Sequence, residues 1–181
     1  MRKRLAIMAA MAAFPAAAQT SGEEHIGQAR LPGFVLAHRV EGGGSLIEER
    51  IPQGETVEAW TRMVTVQRFA GASQRLRASD LLANIQNGLR TSCPEATTTA
   101  ISGETISGRR AARMRADCPL LAQTGLSETF VIVVIEGSSD LHVAQVAFRR
   151  VPTAGDLAWA DRHLASVVLC DRASREAACR Q

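Results

Sequence analysis

The chain has 181 residues, of which 46% are apolar, 22% charged and only 4% aromatic. That length suits one compact domain, and the composition excludes collagen-like, mucin-like and strongly charged disordered chains. Lys plus Arg number 21 against 18 Asp plus Glu, a formal charge of +3, so nucleic acid and anionic membrane stay open as partners until the charge is traced.

Arg2, Lys3 and Arg4 open the chain, and an apolar run from Leu5 to Phe14 follows. Pro15 breaks the run, and Ala16-Ala17-Ala18 supplies a small-residue cleavage site. This is the pattern of a secretory signal peptide over residues 1–18, with cleavage expected after Ala18. The run is too short for a membrane span, which takes about 20 residues. Removing residues 1–18 takes away three basic residues and no acidic one, so 18 of each remain. The basicity therefore belongs to the export signal. Lys3 is the only lysine, so every basic residue after it is Arg.

Residues 19–31 are polar and small and read as a flexible lead-in to a single domain over 32–181. Phe34–Val40 and Leu46–Ile51 read as a hairpin around Gly42-Gly43-Gly44. Glu55–Trp60 reads as a helical turn. Arg62–Phe69 alternates, with Met63, Thr65, Gln67 and Phe69 on one face and Val64 and Val66 on the other. Ser79 is the expected N-cap of a helix that carries Leu81, Leu82, Ile85 and Leu89 on one side. Thr97–Ile106 and Arg109–Cys118 read as strands around Gly108. Leu126–Glu136 is apolar on both faces, as a central strand covered on both sides should be. Leu141–Arg150 returns beside it. Thr153 and Asp156 frame the start of a last helix as a capping box, with Leu157, Ala160, Leu164, Val167 and Val168 as its core stripe. The expected fold is one α+β domain in the order β-β-β-α-β-β-β-β-α, a mostly antiparallel sheet flanked by helices.

Four cysteines in an exported chain imply two disulfides. Of three possible connectivities, Cys93–Cys118 with Cys170–Cys179 is preferred. Cys93 ends a predicted helix and Cys118 a predicted strand, each followed by Pro; the second bridge would pin the tail. No C-x-x-C or paired Cys/His spacing suggests zinc. The four histidines (His25, His38, His142, His163) are too far apart in sequence for an H-x-x-x-H metal pair. No metal and no cofactor are expected. There is no nucleophile elbow and no phosphate loop. Glu41, Glu48 and Glu49 gather at the first hairpin and read as exposed strand residues.

One concentrated feature remains. Arg109, Arg113 and Arg115 share a strand face with Asp117, while Arg110 faces the other way. Such a row can take a carboxylate or phosphate in bidentate fashion, or pair with neighbouring carboxylates. Trp60 is the other candidate, as a ligand platform or a core anchor. The segment around it carries Pro52, Gly54, Glu55, Trp60, Met63, Thr65, Val66 and Gln67. With Cys93-Pro94 and Gln145/Phe148, it resembles small exported bacterial proteins of unknown function that share a P-x-G-E…W-x-x-M-x-T-V-Q segment. The strand order resembles the Mog1/PsbP-like α/β/α sandwich, which implies a fold and no catalytic residue.

These readings converge on an exported, periplasmic or secreted, non-enzymatic binding or interaction domain. Its expected partner is a periplasmic protein or a small anionic ligand. The tentative contact residues are Arg109, Arg113, Arg115 and Trp60. Neutral charge and few aromatics disfavour nucleic acid, and no later segment is long and apolar enough to cross a membrane. The alternatives are a small hydrolase using His142 or His163 with a carboxylate, and a carrier of a small apolar ligand.

Overall fold

The computed structural model describes residues 24–180; the expected signal peptide and its cleavage site lie outside them. The strands are β1 (His25–Gly27), β2 (Phe34–Gly42), β3 (Ser45–Pro52), β4 (Arg62–Phe69), β5 (Thr97–Thr98), β6 (Ser102–Ile106), β7 (Arg109–Leu121), β8 (Leu126–Glu136), β9 (Leu141–Phe148) and β10 (Val168–Cys170). The helices are α1 (Ala78–Ser92) and α2 (Ala154–Ala165). An eight-stranded antiparallel sheet runs β2-β3-β4-β9-β8-β7-β5, with β6 also on β7, and β1 pairs separately with β10. The fold is α+β, as the patterning implied.

The alternation within β8 decides the layering. Phe130, Ile132 and Val134 pack under α1 with Met114, Val143 and Leu82. Val131, Val133 and Ile135 pack under α2 with Val146, Phe148 and Leu164. Residues 132–135 are each no more than 1% exposed. Burying a Val or Ile side chain is worth about 1.5–3 kcal/mol, so this strand anchors both halves of the core. Gly43 and Gly44 take φ of 57° and 82° in the turn between β2 and β3. Two successive positive φ angles match the right-handed twist of a two-residue hairpin.

Four local expectations are corrected. Helix α1 starts at Ala78, not after a Ser79 cap: the N–H of Arg77 donates to Asp80 Oδ2 at 3.1 Å, and that of Ala78 to Glu136 Oε1 at 3.1 Å. A carboxylate from β8 thus satisfies an orphan donor that a local side chain was expected to take. Residues 55–60 form turns and bends rather than a helical turn. The strand expected over 97–106 is divided into β5 and β6 at Thr99, whose N–H donates to the Arg115 carbonyl and whose Oγ1 accepts from the Arg115 N–H. The stripe of α2 ends early: the helix stops at Ala165, and Val168 begins β10. The Thr153/Asp156 box is present, with Asp156 N–H on Thr153 Oγ1 at 3.2 Å.

Both disulfides join the expected partners, Cys93 to Cys118 and Cys170 to Cys179. The first ties the end of α1 to β7; the second ties β10 to a 3₁₀ turn at Ala177–Arg180. No described helix is long and apolar enough to cross a membrane.

Candidate functional site

The arginine row lies on the α2 side of β7, and every member has a carboxylate. Arg109 pairs with Glu24 at 2.9 Å, Arg113 with Asp161 of α2, and Arg115 with Asp117 at 2.8 Å. Arg110, facing α1, pairs with Glu136 at 2.9 Å. An incoming anion would have to displace one of these partners. Burial opposes ionisation of Glu136, but the Ala78 N–H and the Arg110 guanidinium outweigh it and hold its pKa below the ordinary value. Trp60 is 6% exposed, with the Arg149 guanidinium 4.2 Å from its ring centre.

A large hollow lies elsewhere among the described residues, against a stretch expected to be a flexible lead-in. Residues 24–34 run as a strap across the α2-side face of β3, β4 and β9. Each part of the strap is fastened. Glu24, 8% exposed, accepts from Ser138 N–H at 2.7 Å and Ser138 Oγ at 3.0 Å besides Arg109. β1 pairs with β10, where a side chain on Gly27 would meet Cys170 Sγ at 2.6 Å. Gln28 Oε1 lies 3.1 Å from His163 Nε2, and Ala29 N–H donates to Ser166 Oγ. Phe34 stacks on Trp159, which stacks on His163, with ring centres 5.9 and 5.5 Å apart. His163 is thus buried in a wall, and burial pushes its pKa down.

Between strap and sheet is a cleft of about 860 Å³. Leu31, Phe34, Leu46 and Val66 supply apolar surface. Arg30, Arg39, Arg50 and Arg68 line it with Glu24 and Glu48, and Arg39 also pairs with Glu41, and Arg68 with Glu41 and Asp140. Glu48 is held by both Arg39 and Arg50, and Glu41 by Arg39 and Arg68, so these two carboxylates of the first hairpin serve ion pairs on the strand surface. His142, 1% exposed, closes the inner end, and its Nε2 has no hydrogen-bond partner among the described residues. Burial lowers its pKa, against the opposing fields of Asp140 and Glu24.

The cleft is lined by His142 and Glu24, with Ser138 bonded to Glu24; these are the residue types a hydrolase would use. Their bonding is different: Ser138 Oγ serves Glu24, Ser166 Oγ serves the His163 backbone carbonyl, and the His163 ring meets an amide oxygen of Gln28, not a nucleophile. No group of three metal-ligating side chains occurs among the described residues. Glu24, His25 and Gln28 sit in a stretch with no hydrophobic period, so sequence patterning alone did not mark them. Only Ile26, Leu31 and Phe34 hint that the stretch is packed.

No protein-family model matches the chain, and no curated protein matches it. Solved structures do. The solution structure of cyanobacterial PsbP (CyanoP) from Synechocystis sp. gives a TM-score of 0.58 at 9% identity, covering 88% of this chain and 99% of that one. The Saccharomyces cerevisiae Ran-binding protein Mog1p gives 0.45 at 12% identity over 88% and 87%. LpqN, involved in cell envelope biogenesis of Mycobacterium tuberculosis, gives 0.42 at 10% over 84% and 87%. The fold is PsbP-like. At 9% identity the likeness to CyanoP concerns the fold alone.

Proposed function

We propose that this chain is exported and that its mature form is a non-enzymatic binding domain whose small-molecule ligand lodges in the cleft under the strap. The observation that carries this reading is the cleft itself: about 860 Å³, within the range of small-molecule sites, with an apolar floor and more arginines than carboxylates around it. That lining suits an anion with an apolar body, which unites the small anionic and small apolar ligands considered from the sequence. Export is supported by the basic, apolar and small-residue segments of residues 1–18 and by two disulfides, which persist in oxidising compartments. In this reading Arg109 is a positioning residue that holds Glu24, and with it the strap. Arg113 and Arg115 stand outside the cleft and are proposed as surface for a protein partner, whereas Trp60, 6% exposed and packed in the α1-side core, is proposed as a core anchor.

Titration of the ¹⁵N-labelled mature protein with octanoate and with octyl phosphate tests the reading and separates a carboxylate from a phosphate head. Shifts are expected at Leu46, Val66 and His142, with affinity about tenfold weaker in Val66→Glu, which adds a repelling carboxylate to the floor. Binding by neither anion, or shifts confined to residues away from the cleft, would overturn it.

A further inference from the structure

β2 forms one end of the eight-stranded sheet and pairs only with β3. It runs for nine residues, whereas at the other end the edge is divided between β5 and β6, of two and five residues. Sheet edges are ordinarily blunted by short length, proline or lysine. β2 carries neither residue and is exposed at every position after Phe34. Three of the seven exposed large apolar side chains among the described residues lie on it: Val35, Leu36 and Val40.

The hairpin decides which backbone groups face outward. Gly42 and Ser45 flank the two-residue turn and exchange backbone hydrogen bonds across it. Alternation then turns the N–H and C=O of Val40 toward β3, and those of Arg39 and Glu41 away from it. The far side of β3 agrees: Ala70 N–H donates to the Gly44 carbonyl at 2.8 Å, which turns Leu46 and Glu48 toward β4. A bulge at Ala37, between Leu36 and His38, interrupts the alternation. Residues 38–42 are therefore the regular part of the free edge.

The charges on this part complement themselves. Arg39 and Glu41 share a face and lie 3.0 Å apart. Two copies of the edge, antiparallel about a twofold axis, can set outward groups against outward groups with Arg39, Val40 or Glu41 at the axis. An axis at Arg39 sets Arg against Arg, and one at Glu41 sets Glu against Glu. An axis at Val40 sets Arg39 of each copy opposite Glu41 of the other. Opposite charges across a strand pair stabilise it and like charges destabilise it, so charge selects that register. Each Arg39–Glu41 pair then exchanges both backbone hydrogen bonds, and Val40 meets Val40 at the closer, non-hydrogen-bonded spacing. Val40 is 52% exposed in the single copy, so this contact removes apolar surface from water.

We propose that β2 is the contact strand of a homodimer, in which two copies of this chain pair antiparallel through residues 38–42 about Val40. The interface is isologous and continues one sheet across the axis. So short a contact makes a reversible dimer rather than an obligate one.

Sedimentation velocity of the folded mature protein from ~10 μM to ~1 mM should show a monomer–dimer equilibrium. Amide exchange at Arg39 and Glu41 should slow as the dimer fills. Glu41→Arg sets Arg against Arg39, and Arg39→Glu sets Glu against Glu41, so each variant alone should dimerise at least about tenfold more weakly. Mixed, the two restore both opposite-charge pairs and should form a heterodimer within about threefold of the parent affinity. Val40→Lys, at an exposed side chain, should weaken the dimer by at least about tenfold while thermal midpoints confirm that the variants fold. A parent chain still monomeric at ~1 mM would overturn the proposal. So would a charge-variant mixture no tighter than its components, or a dimer that folded Val40→Lys leaves unchanged.

Discussion

Asp156 shows how much one side chain can hold. It accepts from the hydroxyl and N–H of Thr153 at 2.7 and 2.9 Å and pairs with Arg62 and Arg150 at 2.9 and 2.8 Å. The Thr153 hydroxyl chiefly, then the Thr153 N–H and Arg150, outweigh burial and lower its pKa to about 2. A depressed carboxyl pKa stabilises the fold above the unfolded value and loses that contribution as pH falls toward the folded one. Stability should therefore drop between about pH 4 and pH 2, by up to about 2 kcal/mol from this group. In Asp156→Asn that part of the acid limb should flatten in urea titrations at stepped pH; an unchanged limb would remove the assignment. His142 acts nearer neutrality. Burial lowers its pKa despite Asp140 and Glu24, with Arg68 and His25 acting in the same direction as burial. A neutral buried imidazole stabilises above the unfolded pKa, and that contribution fades as pH falls below about 6.5.

At the scale of elements, the strap and β10 depend on one another. β1 pairs with β10, and Cys170–Cys179 holds β10 against the C-terminal 3₁₀ turn. A bridge closing so short a loop is worth roughly 2–4 kcal/mol. In the double variant Cys170→Ala/Cys179→Ala, amide exchange should accelerate at residues 25–27 and 168–170 while β8 stays protected. Equal acceleration throughout would mean that the strap is not a separate unit. Exchange unchanged at β1 would mean that the bridge does not hold it. The strap illustrates where pattern reading reaches its limit. Residues 19–31 have neither period 2 nor period 3.6, and β1 is three residues long. What packs the strap is its fastening to distant residues: Ser138, His163, Ser166 and Cys170.

For the whole molecule, one strand joins two cores. Ile132→Ala should cost about 2–5 kcal/mol by denaturant unfolding, because Ile132 is 1% exposed and lies under α1. A loss below about 1 kcal/mol would show that the α1 layer can collapse around the gap. The sheet is also larger than its helices can cover. α2 and the strap close one face, and α1 covers only the β7–β8 part of the other. Three hollows arise from that mismatch: one where the strap bridges the face, and two where α1 leaves the other face open.

The sequence by itself determined the element order, the two-faced central strand, the hairpin turn, the capping box of α2 and the number of disulfides, whose preferred pairing the structure bears out. Each depends on local periodicity, turn chemistry or cysteine count, which act over a few residues. The tertiary structure alone decided the carboxylate partners of the arginine row, the capping of α1 by Glu136 and the packing of the strap. It also decided the strand register that sets Glu49, Thr65 and Gln145 side by side on β3, β4 and β9. Those depend on contacts between residues far apart along the chain, such as the 85 positions separating Glu24 from Arg109. Only strand register and helix placement bring them together, and no local pattern encodes that.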